Sequence, residues 1–254
     1  MPDRLDGTAA LVTGASSGIG ATTAVELSRH GAAVALAGRR AERLDELAKQ
    51  IREAGGVAVP LRADVSSEEE ANKLVERAVA ELGRLDTLVN NAGLMLLGPV
   101  AGAPADDWRR MIDVNVLGLM YCARAALPHL LRAAQDSPHR VADMVNLSSV
   151  AGRIARNGSA AYNATKFGVG AFSEALRQEV AARRVRVSLI EPGVTETELA
   201  DHNRPEVLDQ MNRRFSGIKR LQAEDIAEAI GFMVTRPWHV IISELMVRPT
   251  EQEA

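Results

Sequence analysis

The chain has 254 residues, 46% hydrophobic and 25% charged, with a formal net charge of −3. This supplies apolar material for a full core, gives no basic nucleic-acid footprint, and with Cys122 as its one cysteine leaves no internal disulfide to form. No run of eighteen apolar residues occurs and residues 1–7 lack a signal-peptide apolar region, so the expectation is a cytoplasmic protein without a membrane span.

Residues 8–13 form a short apolar run of strand length, followed by Thr13-Gly14-Ala15-Ser16-Ser17-Gly18-Ile19-Gly20. Residues 21–30 then read as a helix with apolar Ala24, Val25 and Leu27. A strand, a Gly-rich turn and a helix N-terminus make a phosphate cradle, because glycines admit close backbone approach and free N–H groups face the anion. The spacing is Gly-x-x-x-Gly-x-Gly, different from the commoner Gly-x-Gly-x-x-Gly.

Further on, strands are expected at 33–37, 57–61, 85–90, 141–147, 185–190 and 241–247. Helical patterns fill 41–54, 67–82, 106–134, 160–183 and 223–234. This alternation predicts a single-domain α/β fold, a doubly wound Rossmann-type parallel sheet with helices on both faces. In such sheets ligands bind beyond the carboxyl ends of the strands. Those ends carry Asp64 and Val65, then Asn91-Ala92-Gly93, Ser148-Ser149, and Pro192-Gly193-Val194-Thr195-Glu196-Thr197. The five histidines (His30, His129, His139, His202, His239) are scattered without metal-ligand spacing, so no metal site is expected.

Tyr162 and Lys166 stand four apart in Tyr-Asn-Ala-Thr-Lys, in a chain with two tyrosines and four lysines. On a helix they share a face. A fixed cation beside a phenol lowers its pKa from about 10; the bland alternative is a solvated helix face.

The ordered set Thr13-Gly14-x-x-x-Gly18-Ile19-Gly20, Asn90-Asn91-Ala92-Gly93, Asn115, Ser149, Tyr162-x-x-x-Lys166 and Pro192-Gly193 resembles the short-chain dehydrogenase/reductase family over essentially the whole chain. The family's serine lies thirteen residues before its tyrosine, which selects Ser149 over Ser148. The resemblance implies reversible hydride transfer between a nicotinamide cofactor and a small carbonyl or alcohol substrate. Tyr162 would be the general acid or base, Lys166 would lower its pKa and bind the nicotinamide ribose, and Ser149 would bond the substrate oxygen. Asn115 would hold a water beside the lysine. Gly14, Ser16, Ser17, Gly18, Ile19, Gly20, Asp64, Val65, Asn91, Ala92, Gly93, Pro192, Gly193, Thr195 and Thr197 would line the cofactor. Residues 195–217 would form a substrate lid, and the assembly would be a homotetramer pairing through the 106–134 and 160–183 helices and through the last helix and strand.

Cofactor choice is read after the second strand, where Ala37-Gly38-Arg39-Arg40 offers no carboxylate for a ribose 2′-hydroxyl. A guanidinium fork suits a 2′-phosphate, so NADP(H) is expected, with Arg39 the main contact, Arg40 its neighbour, and Ser16 or Ser17 adding a hydroxyl. Within the family, Met95–Val100, Gly118–Tyr121, Ala125–Arg132, Thr165–Val169, Ile190–Gly193 and Val247–Thr250 resemble the clavaldehyde-reducing clavulanate dehydrogenases. That would imply a role in antibiotic biosynthesis; a wider group acts on 3-hydroxy acids such as serine. Met95, Leu96, Val150, Ile154, Val194 and Leu199 are candidate substrate walls. Arg153 and Arg156 can meet a substrate carboxylate or remain solvated. The 244–249 tail is expected to reach a neighbouring subunit's site.

Overall fold

A computed structural model describes residues 5–253. Seven parallel strands form one sheet in the order β3-β2-β1-β4-β5-β6-β7. They are β1 (Ala9–Thr13), β2 (Ala33–Gly38), β3 (Ala58–Arg62), β4 (Thr87–Asn90), β5 (Ala142–Leu147), β6 (Val185–Pro192) and β7 (Glu244–Val247). The chain winds outward from β1 to β3, then crosses back to set β4 against the other side of β1. The order therefore reverses between β1 and β4, and a crevice opens at the carboxyl ends of these strands.

Alternation along each strand feeds two cores. On β2, Ala35 and Ala37 join one core while Val34 and Leu36 join the other. The first core lies under α3 (Glu68–Leu82), α5 (Leu119–Asp136) and α6 (Ala160–Val180). The second lies under α1 (Gly18–Arg29), α2 (Ala41–Glu53) and α8 (Ala223–Val234). Helices thus cover both faces, as the alternation predicted.

The predicted 106–134 helix is composite: α4 (Ala105–Ile112), a π-helical turn Asp113–Gly118, then α5. By length and composition the run Ala105–Asp136 would suffice to cross a membrane. Here Cys122, Ala126 and Leu130 bury its inner face against the sheet, which is the packing of a core helix. Helix α7 (Pro205–Arg214) was not expected. The last strand is also shorter than the predicted 241–247 run.

The amino ends of the strands hold a buried ion pair that no motif announced. Arg186 donates from Nε and Nη2 to the two carboxylate oxygens of Asp143, each at 2.7 Å, and the two residues are register partners on β5 and β6. The guanidinium also donates to the carbonyls of Val234, Arg236 and Val240, tying the end of α8 to the sheet. The 137–140 turn lies at this edge, away from the crevice.

Candidate active site

The Gly-rich turn is set by close approach. Gly14 has φ +67°, and a Cβ there would lie 2.7 Å from Asn91 Nδ2. A Cβ on Gly20 would lie 2.4 Å from both Asn91 Nδ2 and the Gly14 carbonyl. The turn is locked across β1 and β4. Thr13 Oγ1 accepts from the backbone N–H groups of Asn91 (3.0 Å) and Ala92 (3.1 Å), and Asn91 Nδ2 donates to the Thr13 carbonyl at 2.9 Å. The opening of α1 is thereby held over the crevice, with Ser17 at its N-cap.

One cavity of about 1380 Å³ occupies the crevice. Its lining includes Gly14, Ser16, Ser17, Gly18, Ile19, Arg39, Arg40, Asp64, Val65, Asn91, Ala92 and Gly93 on one side. Ser149, Tyr162, Lys166, Pro192, Gly193, Thr195 and Thr197 line it on the other. Of the predicted site residues, Gly20 and Asn115 stand behind the wall. Gly20 packs under Asn91. Asn115 is a tie: Oδ1 accepts from Leu94 N at 2.7 Å, and Nδ2 donates to the Leu94 carbonyl (2.8 Å) and to Thr165 Oγ1 (3.2 Å).

Tyr162 and Lys166 lie on α6 and are buried. The Tyr162 hydroxyl is hydrogen-bonded to Ser149. Ser149 follows β5, where its hydroxyl accepts from Ala151 N at 3.1 Å and lies 3.4 Å from the Pro192 carbonyl. Ser148 instead donates to the Lys166 carbonyl at 3.1 Å, holding the loop to the helix.

The electrostatics correct one expectation. Burial pushes the phenol up to about 12, opposed by the Ser149 hydrogen bond, and burial brings the Lys166 ammonium down to about 8. Lys166 Nζ donates to the Leu147 carbonyl at 2.8 Å and stands 5.8 Å from the Tyr162 ring centre. In this geometry the lysine does not depress the phenol, because desolvation dominates and the ammonium is bonded elsewhere.

After β2, Arg40 is engaged within the protein itself. Arg40 donates from Nε to Ser16 Oγ (3.0 Å), from Nη2 to Ser17 Oγ (2.6 Å) and from Nη1 to Glu198 (2.7 Å). Arg43 reaches the other Glu198 oxygen at 2.5 Å. These bonds hold the Glu198 carboxyl well below its usual range, at about 2. Arg39 is exposed.

Two other expectations change. Leu96 and Ile154 do not line the cavity, whereas Met95, Val150, Val194 and Leu199 do. Arg153 is committed to Glu191 at 2.7 Å and to Glu244. Beyond the 244–249 segment, Gln252 reaches the site of its own chain, where its Oε1 accepts from Val194 N at 2.9 Å and it lines the cavity. Helix α7 adds Val207, Leu208 and Met211 to the wall, followed by Phe215. Pro205 at the first turn of α7 was the available signal for that helix; Gln252 had none.

The profile of the short chain dehydrogenases matches residues 8–208. The chain belongs to that family. An uncharacterized oxidoreductase of Staphylococcus aureus (strain USA300) is 38% identical over 240 residues, covering 94% of this chain and 96% of its own. Among solved structures, the closed form of a serine dehydrogenase complexed with NADP+ superposes with a TM-score of 0.88 at 33% identity, covering 97% of each chain. A 3-ketoacyl-(acyl-carrier-protein) reductase from Brucella melitensis complexed with NADH gives 0.83 at 29% identity, covering 96% of this chain and 98% of its own.

Proposed function

We propose that this short-chain dehydrogenase is an NADP(H)-dependent oxidoreductase that interconverts an aldehyde or ketone with its alcohol, using Tyr162 as the proton-transferring group. The observation that carries the reading is the convergence of Ser149, Tyr162 and Lys166 in one cavity with the glycine cradle and the basic end of β2. When bound, the nicotinamide supplies the hydride for reduction and accepts it for oxidation.

The residues present suit that group. Gly14 and Gly18 open the cradle by lacking a Cβ, and the start of α1 presents backbone N–H groups to a pyrophosphate. No carboxylate stands on β2's end, and Arg39 and Arg40 offer forks for a 2′-phosphate. Arg40 has Glu198 as its anion, so an incoming phosphate competes with that carboxylate. The NADP+-bound serine dehydrogenase supports this choice, whereas the NADH-bound reductase shows that family membership alone does not decide it.

In reduction, the buried and protonated Tyr162 gives its proton to the substrate oxygen, while the Ser149 hydroxyl donates to the same oxygen as charge develops there. Lys166, brought down to about 8 by burial, still carries its charge at neutral pH and lines the same cavity as the phenol, where it can hold the nicotinamide ribose. Asn115 fixes the π-helical turn against Thr165, one residue before that lysine.

For the substrate we favour a 3-hydroxy acid or its carbonyl partner over a clavaldehyde-like aldehyde, because the serine dehydrogenase covers nearly the whole chain. A homotetramer is part of the same proposal, and it is supported by exposed apolar side chains. Ile112, Met120 and Phe167 are exposed on α4, α5 and α6, and Phe232, Ile241 and Met246 on or near α8 and β7, giving two apolar faces; light scattering reads the mass.

The activity test is oxidation of NADPH over a panel of aldehydes, ketones and 3-oxo acids by wild type and Tyr162→Phe. Turnover reduced about 10²–10⁴-fold in the variant supports the reading. NADPH binding without turnover, unchanged by the substitution, would replace it with a non-catalytic binding role.

A further inference from the structure

The loop between Ser149 and Tyr162 carries two arginines whose surroundings differ. Arg153 is neutralised by Glu191 at 2.7 Å and by Glu244. Arg156 lines the catalytic cavity, and its Nη2 is shielded from solvent with no hydrogen-bond partner among the described residues. A guanidinium stays charged at any ordinary pH, and leaving a shielded charged donor unpaired costs free energy.

The loop is not free to carry Arg156 away. Asn163, buried and adjacent to Tyr162, pins it with both ends of its side-chain amide. Asn163 Oδ1 accepts from Arg156 N (3.3 Å) and Ser159 Oγ (2.6 Å), and Nδ2 donates to the carbonyls of Ala151 (2.5 Å) and Ile154 (3.0 Å). The Arg156 carbonyl in turn accepts from Ser159 Oγ at 3.0 Å. The backbone that bears Arg156 is thus fastened to the helical turn that bears Tyr162.

Three other cavity arginines have companions, and Arg39 is exposed to solvent. Arg40 has Glu198, Arg204 lies 3.7 Å from Asp107, and Arg220 donates to Asn212. A guanidinium nitrogen shielded and unpaired in the cavity that holds Tyr162, on backbone fastened to the Tyr162 helix, suits an anionic group on the reacting molecule, and a carboxylate matches its fork.

We infer that Arg156 is a specificity-determining residue that receives a substrate carboxylate, making the substrates hydroxy acids and carbonyl acids rather than neutral alcohols and carbonyls. This rests on the oxidoreductase reading and extends it. Pairing at Arg156 would orient the carbonyl against Ser149 and Tyr162, so its binding energy serves positioning as well as affinity.

The test uses matched acids and amides, equal in shape and different in charge. The pairs are 3-hydroxypropanoate with 3-hydroxypropanamide in the NADP+ direction, and 4-carboxybenzaldehyde with 4-carbamoylbenzaldehyde in the NADPH direction. Wild type should prefer the acid in kcat/KM by roughly tenfold or more in at least one pair, chiefly through KM. Arg156→Gln should bring that ratio near one, and Arg156→Lys should restore part of it. Calorimetry with 3-hydroxypropanoate on Tyr162→Phe loaded with NADP+ reads the same contact without turnover, and adding Arg156→Gln should weaken the binding.

Equal use of acid and amide in both pairs, or a ratio untouched by Arg156→Gln, would overturn the inference. The parent reading would survive if neutral carbonyls are still reduced in a Tyr162-dependent way. If no carbonyl is turned over with either nucleotide, the oxidoreductase reading falls and this inference falls with it.

Discussion

The two sides of the cavity are held by different means. Around the Gly-rich turn, the Thr13 hydroxyl and the Asn91 side-chain amide join neighbouring strands by bonding each other's backbone groups at 2.9–3.1 Å, under glycines whose lack of a Cβ admits the close approach. Residues 195–217 instead hang on a few long-range polar contacts. Asn203 accepts from Leu97 N at 2.7 Å and donates to the Met95 carbonyl at 3.0 Å, a single bridge pairs Thr195 with Leu221, and Glu198 binds Arg40 and Arg43. No residue of α7 is fully buried. The first side is a preformed cradle; the second has few buried contacts, and we propose that it is the cover of the cavity.

The comparison breaks most visibly at Gly20. Gly20→Ala places a methyl 2.4 Å from Asn91 Nδ2 and the Gly14 carbonyl. Overpacking of this kind costs about 1–3 kcal/mol, so a lower Tm and a severalfold or greater weakening of NADPH binding are expected by scanning fluorimetry and calorimetry. An unchanged Tm with full binding would mean the cradle is not rigid.

Where the two sides meet, opposite signs are expected. Arg40→Ala should weaken NADPH binding by about tenfold while leaving NADH little changed, since one charge-assisted contact to the 2′-phosphate is lost. Glu198→Gln removes the competing carboxylate and should tighten NADPH severalfold, with the gain shrinking in high salt. Both variants moving the same way would contradict the competition.

On the cover itself, Asn203→Ala should raise amide hydrogen exchange across residues 198–215 while leaving residues 9–20 protected. Equal exchange gains on both sides would erase the contrast.

A dependence on pH is expected at Lys166. Its pKa in the folded chain, about 8, lies below the ordinary lysine value of 10.5, so between those values the unfolded chain binds more protons than the folded one. Stability relative to Lys166→Met should therefore rise as pH climbs from about 8 to about 10.5 and be lowest below 8. A flat difference in urea unfolding across that range would show that the lysine is not desolvated.

What the sequence made legible follows the same division. The alternation of strands and helices, the cradle and the Ser149–Tyr162–Lys166 set are local in pattern, written in apolar runs, glycine spacing and a four-residue step on α6. Contacts distant in sequence left no such pattern. Glu198 pairs with Arg40 across 158 positions and Asn203 with Leu97 across 106, and Gln252 reaches Val194 from the chain's end. The phenol's pKa was misjudged for a related reason: spacing put Lys166 on the right face, but burial and the Leu147 carbonyl are properties of the packed site.

The most direct measurement is the ratio of kcat/KM for NADPH over NADH with one reducible carbonyl substrate, in wild type and in Arg40→Ala. The account predicts strong preference for NADPH in wild type and a much reduced ratio in the variant. Equal use of the two nucleotides, or a preference for NADH, would contradict it.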